Sequence, residues 1–133
     1  MYPCTSPFWN LMSQTLQKTN AGMVKTWMQL AGQLSPSGNK DHGSSYQEQQ
    51  LGFVEEEFYE LLHAFNHENR EQSIKEAVDL IWTAYGFLHL LGVDPDEAFD
   101  RIYASNQTKI PFEYKDGKVQ KGKNYVPPYL GDL

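Results

Sequence analysis

The chain has 133 residues, of which 40% are hydrophobic and 21% are charged, as expected for one soluble globular domain. Its single cysteine, Cys4, excludes an internal disulfide framework and a multi-cysteine zinc site, and it is interpreted as an ordinary thiol near a terminus. No apolar run reaches the roughly 18 residues that a membrane span needs, and no secretory signal is recognisable, which predicts a cytoplasmic protein.

The net charge of −6 is unevenly distributed along the chain. Residues 1–40 carry +3, residues 41–100 carry −12 and residues 101–133 carry +3. A concentrated acidic middle repels nucleic acid and attracts hard cations. The sequence therefore predicts a cation site in the middle of the chain, with basic ends on either side that suit an anionic ligand.

The first 45 residues contain one clear helical pattern. Residues 1–22 only suggest a short helix, whereas MVKTWMQLAGQL at 23–34 predicts a helix with a stripe at Met23, Trp27, Leu30 and Leu34. The composition of SPSGNKDHGSS at 35–45, rich in Ser, Gly and Pro, predicts a loop.

Two long amphipathic helices are predicted next, from about Tyr46 to Asn66 and from about Gln72 to Leu91. Apolar residues recur in each at offsets of three and four, which is one face of a helix. The first stripe comprises Leu51, Val54, Phe58, Leu61, Leu62 and Phe65, and the second Ile74, Ala77, Val78, Ile81, Ala84, Tyr85, Leu88 and Leu91. Beyond Asp79 the second helix is apolar nearly all round, which predicts a central position or a subunit interface.

The last predicted helix has a well-defined start. Asp94 is its cap, Pro95 its first residue and Glu97 lies three residues after the cap, so we expect a helix over about 95–107. The Asp-Gly pair at 116–117 predicts a small hairpin. The proline-rich end, NYVPPYLGDL, predicts an irregular segment that packs along a surface.

These elements predict an all-α fold, a four- to five-helix bundle with an irregular or hairpin C-terminal tail. We expect a single domain over 1–133, with core helices at about 23–107 and the tail at 108–133.

Two pairs of carboxylates are spaced three residues apart on the long helices, Glu57 with Glu60 and Glu76 with Asp79. Residues at this spacing lie about one turn apart on the same side of a helix, and antiparallel helices bring both pairs into one cleft. The four charges would repel one another unless a cation neutralises them, and magnesium prefers oxygen ligands. On spacing alone, a solvated helix face and a centre of two or three Mg²⁺ or Mn²⁺ ions both stay open.

Two observations bear on the alternatives. The apolar run after Asp79 disfavours a solvated face. Glu60 and His63 have the Glu-x-x-His spacing of a di-iron bundle, but the second long helix lacks such a pair. His63, His67 and His89 are therefore interpreted as packed or capping histidines.

The segment VEEEFYELL, followed by KEAVDLIW, resembles the MazG-type all-α nucleoside triphosphate pyrophosphohydrolases, which carry Glu-x-x-Glu and then Glu-x-x-Asp. SNQTK at 105–109 and DGKVQKGKNYVPPYL at 116–130 are similar to its small phage and bacterial branch, to which the guanine-preferring MazZ-like enzymes belong. The resemblance covers roughly residues 46–130. It implies a homodimer or homotetramer, bacterial or phage-encoded, that acts in the cytoplasm.

The resemblance also implies hydrolysis of a (deoxy)nucleoside triphosphate at the α-phosphorus, to the monophosphate and pyrophosphate, for nucleotide-pool control. The expected substrate is a purine nucleotide such as dGTP or GTP. Glu57, Glu60, Glu76 and Asp79 become the metal ligands, and Glu56 becomes a candidate for holding a metal-bound water. Glu56 and Glu57 are the candidate general bases.

Three residues are candidates for binding the nucleotide. Asn106 and Lys109 match the family's positions, where lysine offers a charge to phosphate and asparagine a donor and an acceptor. Trp27 is a candidate for stacking on the base, or else an ordinary core residue. The basic tail is expected to contact triphosphate or a neighbouring subunit, or to be solvated. A non-catalytic module that binds a nucleotide or cation, and a structural bundle, remain the rival functions.

Overall fold

The computed structural model describes residues 19–36 and 40–133. This part of the chain contains four helices and a small hairpin, which confirms the all-α prediction. The helices are α1 (Asn20–Leu30), α2 (Ser44–His67), α3 (Arg70–Leu90) and α4 (Pro95–Gln107), and the strands are β1 (Tyr114–Lys115) and β2 (Lys118–Val119). The short helix suggested near residues 8–16, and Cys4, lie outside the described residues.

The chain forms two compact units, which we call the N-terminal unit (residues 1–93) and the C-terminal unit (residues 94–133). A single domain over the whole chain stays a prediction.

Within the described ranges, no helix is both long and apolar enough to cross a membrane.

The long helices α2 and α3 are an antiparallel pair connected by only two residues. Their register follows from side chains that meet across the pair. Gln50 of α2 donates through Nε2 to the Thr83 carbonyl of α3 at 2.9 Å, and seven residues further along α2, Glu57 lies beside Glu76 of α3. The register therefore brings a carboxylate of the first predicted pair level with the second pair.

Helix α1 packs against α3 and closes the core of the N-terminal unit. The core consists of Val24, Met28, Leu34 and Leu90, with the half-buried Trp82 and Tyr85 against it. The helix begins three residues before its predicted start because Thr19 caps it, accepting from the Gly22 amide through Oγ1 at 3.1 Å. The helix ends at Leu30 rather than at 34, so Leu34 lies in the following loop. Its side chain is nevertheless buried in the core.

The predicted apolar stripe of α2 coincides only in part with its buried face, since Val54 and Leu61 are half-buried but the other four residues are exposed. Leu51, Phe58, Leu62 and Phe65 are between 41% and 76% exposed, whereas Gln50 and Ala64 are buried. The periodic pattern identified the helix correctly, but the helix is rotated about its own axis relative to the orientation that the stripe predicts. Large apolar side chains consequently lie on the outside of the pair.

Gly92 ends α3, as the sequence predicts, and its backbone has a φ of +78°. A Cβ at this position would lie 2.7 Å from backbone atoms of Lys40 and Asp41. The His42 amide then donates to the Leu90 carbonyl at 2.9 Å. Glycine is therefore needed here both for its conformation and because another backbone segment passes close to it.

The C-terminal unit starts at α4, whose predicted bounds and cap are confirmed: Asp94 accepts from the Asp96 amide at 2.9 Å and Pro95 is the first helical residue. The predicted hairpin is also present, with Tyr114 paired to Val119 and positive φ at both turn residues, 116 and 117.

The end of the chain is held along α4 by specific hydrogen bonds. Ser105 donates through Oγ to the Val126 carbonyl at 2.6 Å, and the Val126 amide donates to Thr108 Oγ1 at 2.8 Å. Arg101 forms an ion pair with Asp132 and donates to the Tyr129 carbonyl at 3.0 Å. The irregular end therefore packs along a surface of its own unit, as its composition predicts.

Candidate metal centre

Three carboxylates from the two long helices converge on one point. Glu57 comes from α2, and Glu76 and Asp79 come from successive turns of α3. One oxygen of each lies within 4.8 Å of the others. The three-residue spacing on α3 and the antiparallel register together produce this group, which is suited to an oxygen-preferring divalent cation.

The oxygens of this group are short of hydrogen-bond donors. Glu76 is only 9% exposed, and Oε2 of Glu76 and Oε2 of Glu57 are buried without a hydrogen-bond partner among the described residues. Buried polar atoms are nearly always paired, so two orphaned carboxylate oxygens side by side call for a further partner. An all-oxygen donor set with orphaned oxygens fits a hard divalent cation.

The electrostatics of the group point the same way. Burial, followed by the charges of Glu60, Asp79 and Glu76, raises the pKa of Glu57 above its usual range. The neighbouring carboxylates thus disfavour the charge on Glu57, and a divalent cation between them would remove that penalty.

Lys75 supplies the positive charge next to this group. Its Nζ lies 2.8 Å from Asp79 Oδ2 and 3.2 Å from Glu76 Oε1, and these bonds raise the pKa of the ammonium. We did not predict this contact, although a lysine four residues before an aspartate on a helix was a readable signal. Glu76 and Asp79 of α3 therefore already bind one cationic group, the ammonium of Lys75.

Glu60 and Glu56 lie beside the group of three and not within it. Glu60 raises the pKa of Glu57 through its charge. A cavity of about 570 Å³ is lined by Glu56, Tyr59, Glu60, His63, Glu68 and Glu76. Its acidic wall adjoins the converging carboxylates through Glu76.

Of the three histidines interpreted as packed or capping, His89 is confirmed as packed, whereas His63 and His67 are exposed. His63 is exposed and lies 3.9 Å from Glu68, and no histidine belongs to the carboxylate group in the ranges that the structure describes. His89 is buried, with Nε2 2.8 Å from the Ala21 carbonyl. The di-iron alternative gains no support from this arrangement.

A second, smaller cavity adjoins the same carboxylates. It has a volume of about 190 Å³ and is lined by Trp27, Met28, Gln33, Gln50, Phe53, Glu56, Glu57, Trp82 and Thr83. Trp27 is 44% exposed and meets Trp82 edge to face, with ring centroids 5.6 Å apart. Trp27 is therefore available to a ligand. Gln50 and Trp82, which we did not single out from the sequence, share its cavity.

Asn106 and Lys109 belong to the C-terminal unit, at the end of α4 and just after it. Asn106 is exposed, and its carbonyl accepts from the Lys109 amide at 3.1 Å. Lys109 is half-buried, with Nζ 5.9 Å from the centre of the Tyr125 ring, and Nζ of Lys121 lies 5.1 Å from the same centre. Both predicted residues are thus close together on a surface that also carries a tail lysine.

One comparison with known proteins gives a match. The family model described as phosphoribosyl-ATP pyrophosphohydrolase matches residues 24–106. The matched segment contains all the candidate carboxylates together with Trp27 and Asn106, and it stops before Lys109 and the tail. No curated protein sequence matches the chain.

Proposed function

The chain belongs to the phosphoribosyl-ATP pyrophosphohydrolase family, and from that premise we propose that it is a metal-dependent nucleoside triphosphate pyrophosphohydrolase. Family membership indicates the class of reaction, which is pyrophosphohydrolysis of a nucleotide. The observation that carries the proposal is the convergence of Glu57, Glu76 and Asp79 within 4.8 Å. The tail segments SNQTK and DGKVQKGKNYVPPYL, similar to the MazG-like branch, favour a nucleoside triphosphate as the substrate.

Glu57, Glu76 and Asp79 would hold Mg²⁺ or Mn²⁺, with Glu60 as a further ligand at the edge of the group. Two or three ions, when bound, would neutralise charge on the substrate phosphates and on the departing pyrophosphate. The orphaned oxygens of Glu57 and Glu76 are the ligand atoms that favour this assignment.

Glu56 is our candidate for the general base, with Glu57 as the alternative. It is exposed on α2 and lines both cavities beside the carboxylate group. A water oxygen would attack the α-phosphorus, its proton would pass to the glutamate carboxylate, and the bond from the α-phosphorus to the bridging oxygen would break. The products are the monophosphate and pyrophosphate.

The remaining nucleotide contacts follow from the same proposal. Trp27 would stack on the base in the aromatic cavity, and Lys109 and Asn106 would contact phosphate and sugar. Purine nucleotides such as dGTP or GTP, the preference of the MazZ-like enzymes, are the substrates that we expect for control of the nucleotide pool.

Assembly into a homodimer or homotetramer is part of the proposal. It is supported by the exposed apolar residues of both long helices, namely Leu51, Phe58, Leu62 and Phe65 on α2 and Ile74, Val78 and Ile81 on α3. On each helix these residues recur at helical spacing, and a large exposed apolar surface is typical of an interaction site. Light scattering on the purified chain should therefore give a multiple of the 15.3 kDa monomer mass.

A substrate panel tests the function. Purified protein is incubated with Mg²⁺ or Mn²⁺ and with dGTP, GTP, dATP, dCTP, dUTP or phosphoribosyl-ATP, and monophosphate and pyrophosphate are quantified. We expect release from purine triphosphates. Exclusive cleavage of phosphoribosyl-ATP would correct the substrate, and metal or nucleotide binding by calorimetry without any release would favour the non-catalytic module.

A further inference from the structure

The small cavity beside the carboxylates has the composition of a site for a planar ring. Three aromatic side chains line it, those of Trp27, Phe53 and Trp82. Glu56 and Glu57 line it as well, so it opens next to the atoms proposed to hold the phosphates through metal ions. If the phosphates of a nucleotide lie at the carboxylates, its base can reach this cavity, which we call the aromatic chamber. Proteins recognise bases by stacking and by hydrogen bonds to their polar edge.

Gln50 places a buried polar side chain in that aromatic chamber. It is 9% exposed, and its Nε2 donates to the Thr83 carbonyl at 2.9 Å. An amide side chain carries an oxygen that accepts hydrogen bonds as well as a nitrogen that donates them. The bond to Thr83 engages the nitrogen, and Gln50 also lines the cavity, where its oxygen can accept from a ligand.

The orientation of this amide depends on a glycine in α3. A Cβ at Gly86 would lie 2.5 Å from Gln50 Nε2 and 3.2 Å from Gln50 Cδ. The nitrogen end of the amide therefore rests against α3 at a position where only glycine leaves room for it. Gly86 is buried inside a helix, where glycine costs stability relative to alanine, so the space that it leaves has a use.

We propose that Gln50 selects the base of the nucleotide, its side-chain oxygen accepting hydrogen bonds from the N1–H and the 2-amino group of guanine. Glutamine reads adenine with both atoms of its amide, whereas here the nitrogen is held by Thr83. An oxygen with two lone pairs matches the two adjacent donors of guanine. The inference rests on the proposed function and adds to it the residue that determines specificity.

Nucleotide analogues test this without any mutation. Hypoxanthine, the base of dITP, lacks the 2-amino group of guanine. The base 7-deazaguanine lacks only the N7 acceptor on the opposite edge. For the wild-type chain we expect kcat/KM for dITP to fall about tenfold below that for dGTP, mainly through KM, because one hydrogen bond is lost. The value for 7-deaza-dGTP should equal that for dGTP.

Two variants connect the preference to Gln50. Gln50→Leu removes the acceptor, and Gly86→Ala keeps it but forces the amide to move; both should bring the dGTP and dITP values together. The matched controls are Gln49→Leu, at the exposed neighbouring position on α2, and Gly52→Ala, where an added Cβ meets no atom within 4 Å. Both controls should keep the wild-type ratio.

Binding gives a readout that does not depend on turnover. Calorimetry with the α,β-imido forms of dGTP and dITP should show the same tenfold difference in Kd, lost in Gln50→Leu. An unchanged ratio in a folded Gln50→Leu or Gly86→Ala protein, or a wild type that does not distinguish dGTP from dITP, would overturn the inference while leaving pyrophosphohydrolysis intact. A wild type that neither binds nor cleaves any triphosphate would overturn the proposed function, and this inference with it.

Discussion

The two compact units of the chain differ in how the charged side chains described below are paired. In the C-terminal unit, Arg101 is bonded to both Glu97 and Asp132, and its hydrogen bond holds the pKa of Asp132 below the usual range. In the N-terminal unit, Glu57 meets two more carboxylates, and its pKa is raised, chiefly by burial. The charges around Arg101 are paired with opposite charges, whereas the carboxylate group, despite Lys75 beside it, keeps like charges together with two buried oxygens that lack a partner among the described residues.

This difference distinguishes a structural ion pair from a candidate site. The pairs of Arg101 hold the end of the chain along α4, which accounts for them completely. The charge on Glu57 lowers the stability of the metal-free fold, because its partial burial and the neighbouring carboxylates disfavour the ionised form. Groups arranged against stability, with perturbed pKa values, are candidates for function.

The largest expected effect comes from removing a carboxylate of the group. Glu76→Gln keeps the shape of the side chain but removes a buried charge, so kcat/KM should fall by at least about a hundredfold. The matched control is Glu48→Gln, an exposed glutamate of α2 outside the site. Pyrophosphate release measures both. Full activity in Glu76→Gln would show that the carboxylate group is not needed for pyrophosphate release, and the contrast with the ion pairs of Arg101 would then have no functional meaning.

Metal binding should stabilise the N-terminal unit. Mn²⁺ at a hundred times its Kd would raise the free energy of unfolding by about 2.7 kcal/mol if it binds only the folded chain, and EDTA would reverse the gain. Calorimetric melting of the wild type and of Glu76→Gln measures this. Equal shifts in the two proteins would place the Mn²⁺ elsewhere.

Lys75 partly neutralises the carboxylate group of the N-terminal unit, because it pairs with Glu76 and Asp79. Removing its charge should therefore increase the difference between the two units. Lys75→Gln should tighten Mn²⁺ binding roughly twofold to fivefold, because its ammonium competes with the ion for Glu76 and Asp79. Arg70→Gln removes the same charge from an exposed position on α3 and serves as the control. Weaker binding in Lys75→Gln, measured by titration calorimetry, would instead make the lysine a support for the ligands.

The smallest effect is a pH dependence of opposite sign in the two units. The pKa of Glu57 in the metal-free fold lies above its ordinary 4.5, so the fold gains stability as pH falls from that raised value to 4.5. The pKa of Asp132 lies below its ordinary 3.8, so its contribution is present above 3.8 and is lost as pH falls through the lowered value.

Urea unfolding in EDTA, followed across acidic pH, tests both signs. Glu57→Gln should remove the gain, and Asp132→Asn should remove the loss. Parallel pH curves for the wild type and either variant would show that the corresponding charge is not perturbed by the fold.

Much of the local structure follows from the sequence because its signals act over a few residues. The Asp94 cap with Pro95 placed α4 within its observed bounds, and the Asp-Gly pair at 116–117 placed the hairpin. The three-residue spacings put carboxylates on one side of each long helix. These features depend on hydrogen bonds and side-chain directions within one or two turns, which a sequence shows directly.

The convergence of Glu57 with Glu76 and Asp79, with Glu60 at the edge, was decided by the tertiary structure. So was the cavity that Gln50 lines, with its amide nitrogen in the space left by Gly86. Both depend on the rotation of α2 about its axis and on its register against α3. That rotation left Phe58 and Phe65 outside and turned Gln50 inward, against the apolar pattern. Periodicity reports which faces of a helix are apolar, but only packing against a particular neighbour decides which face meets it.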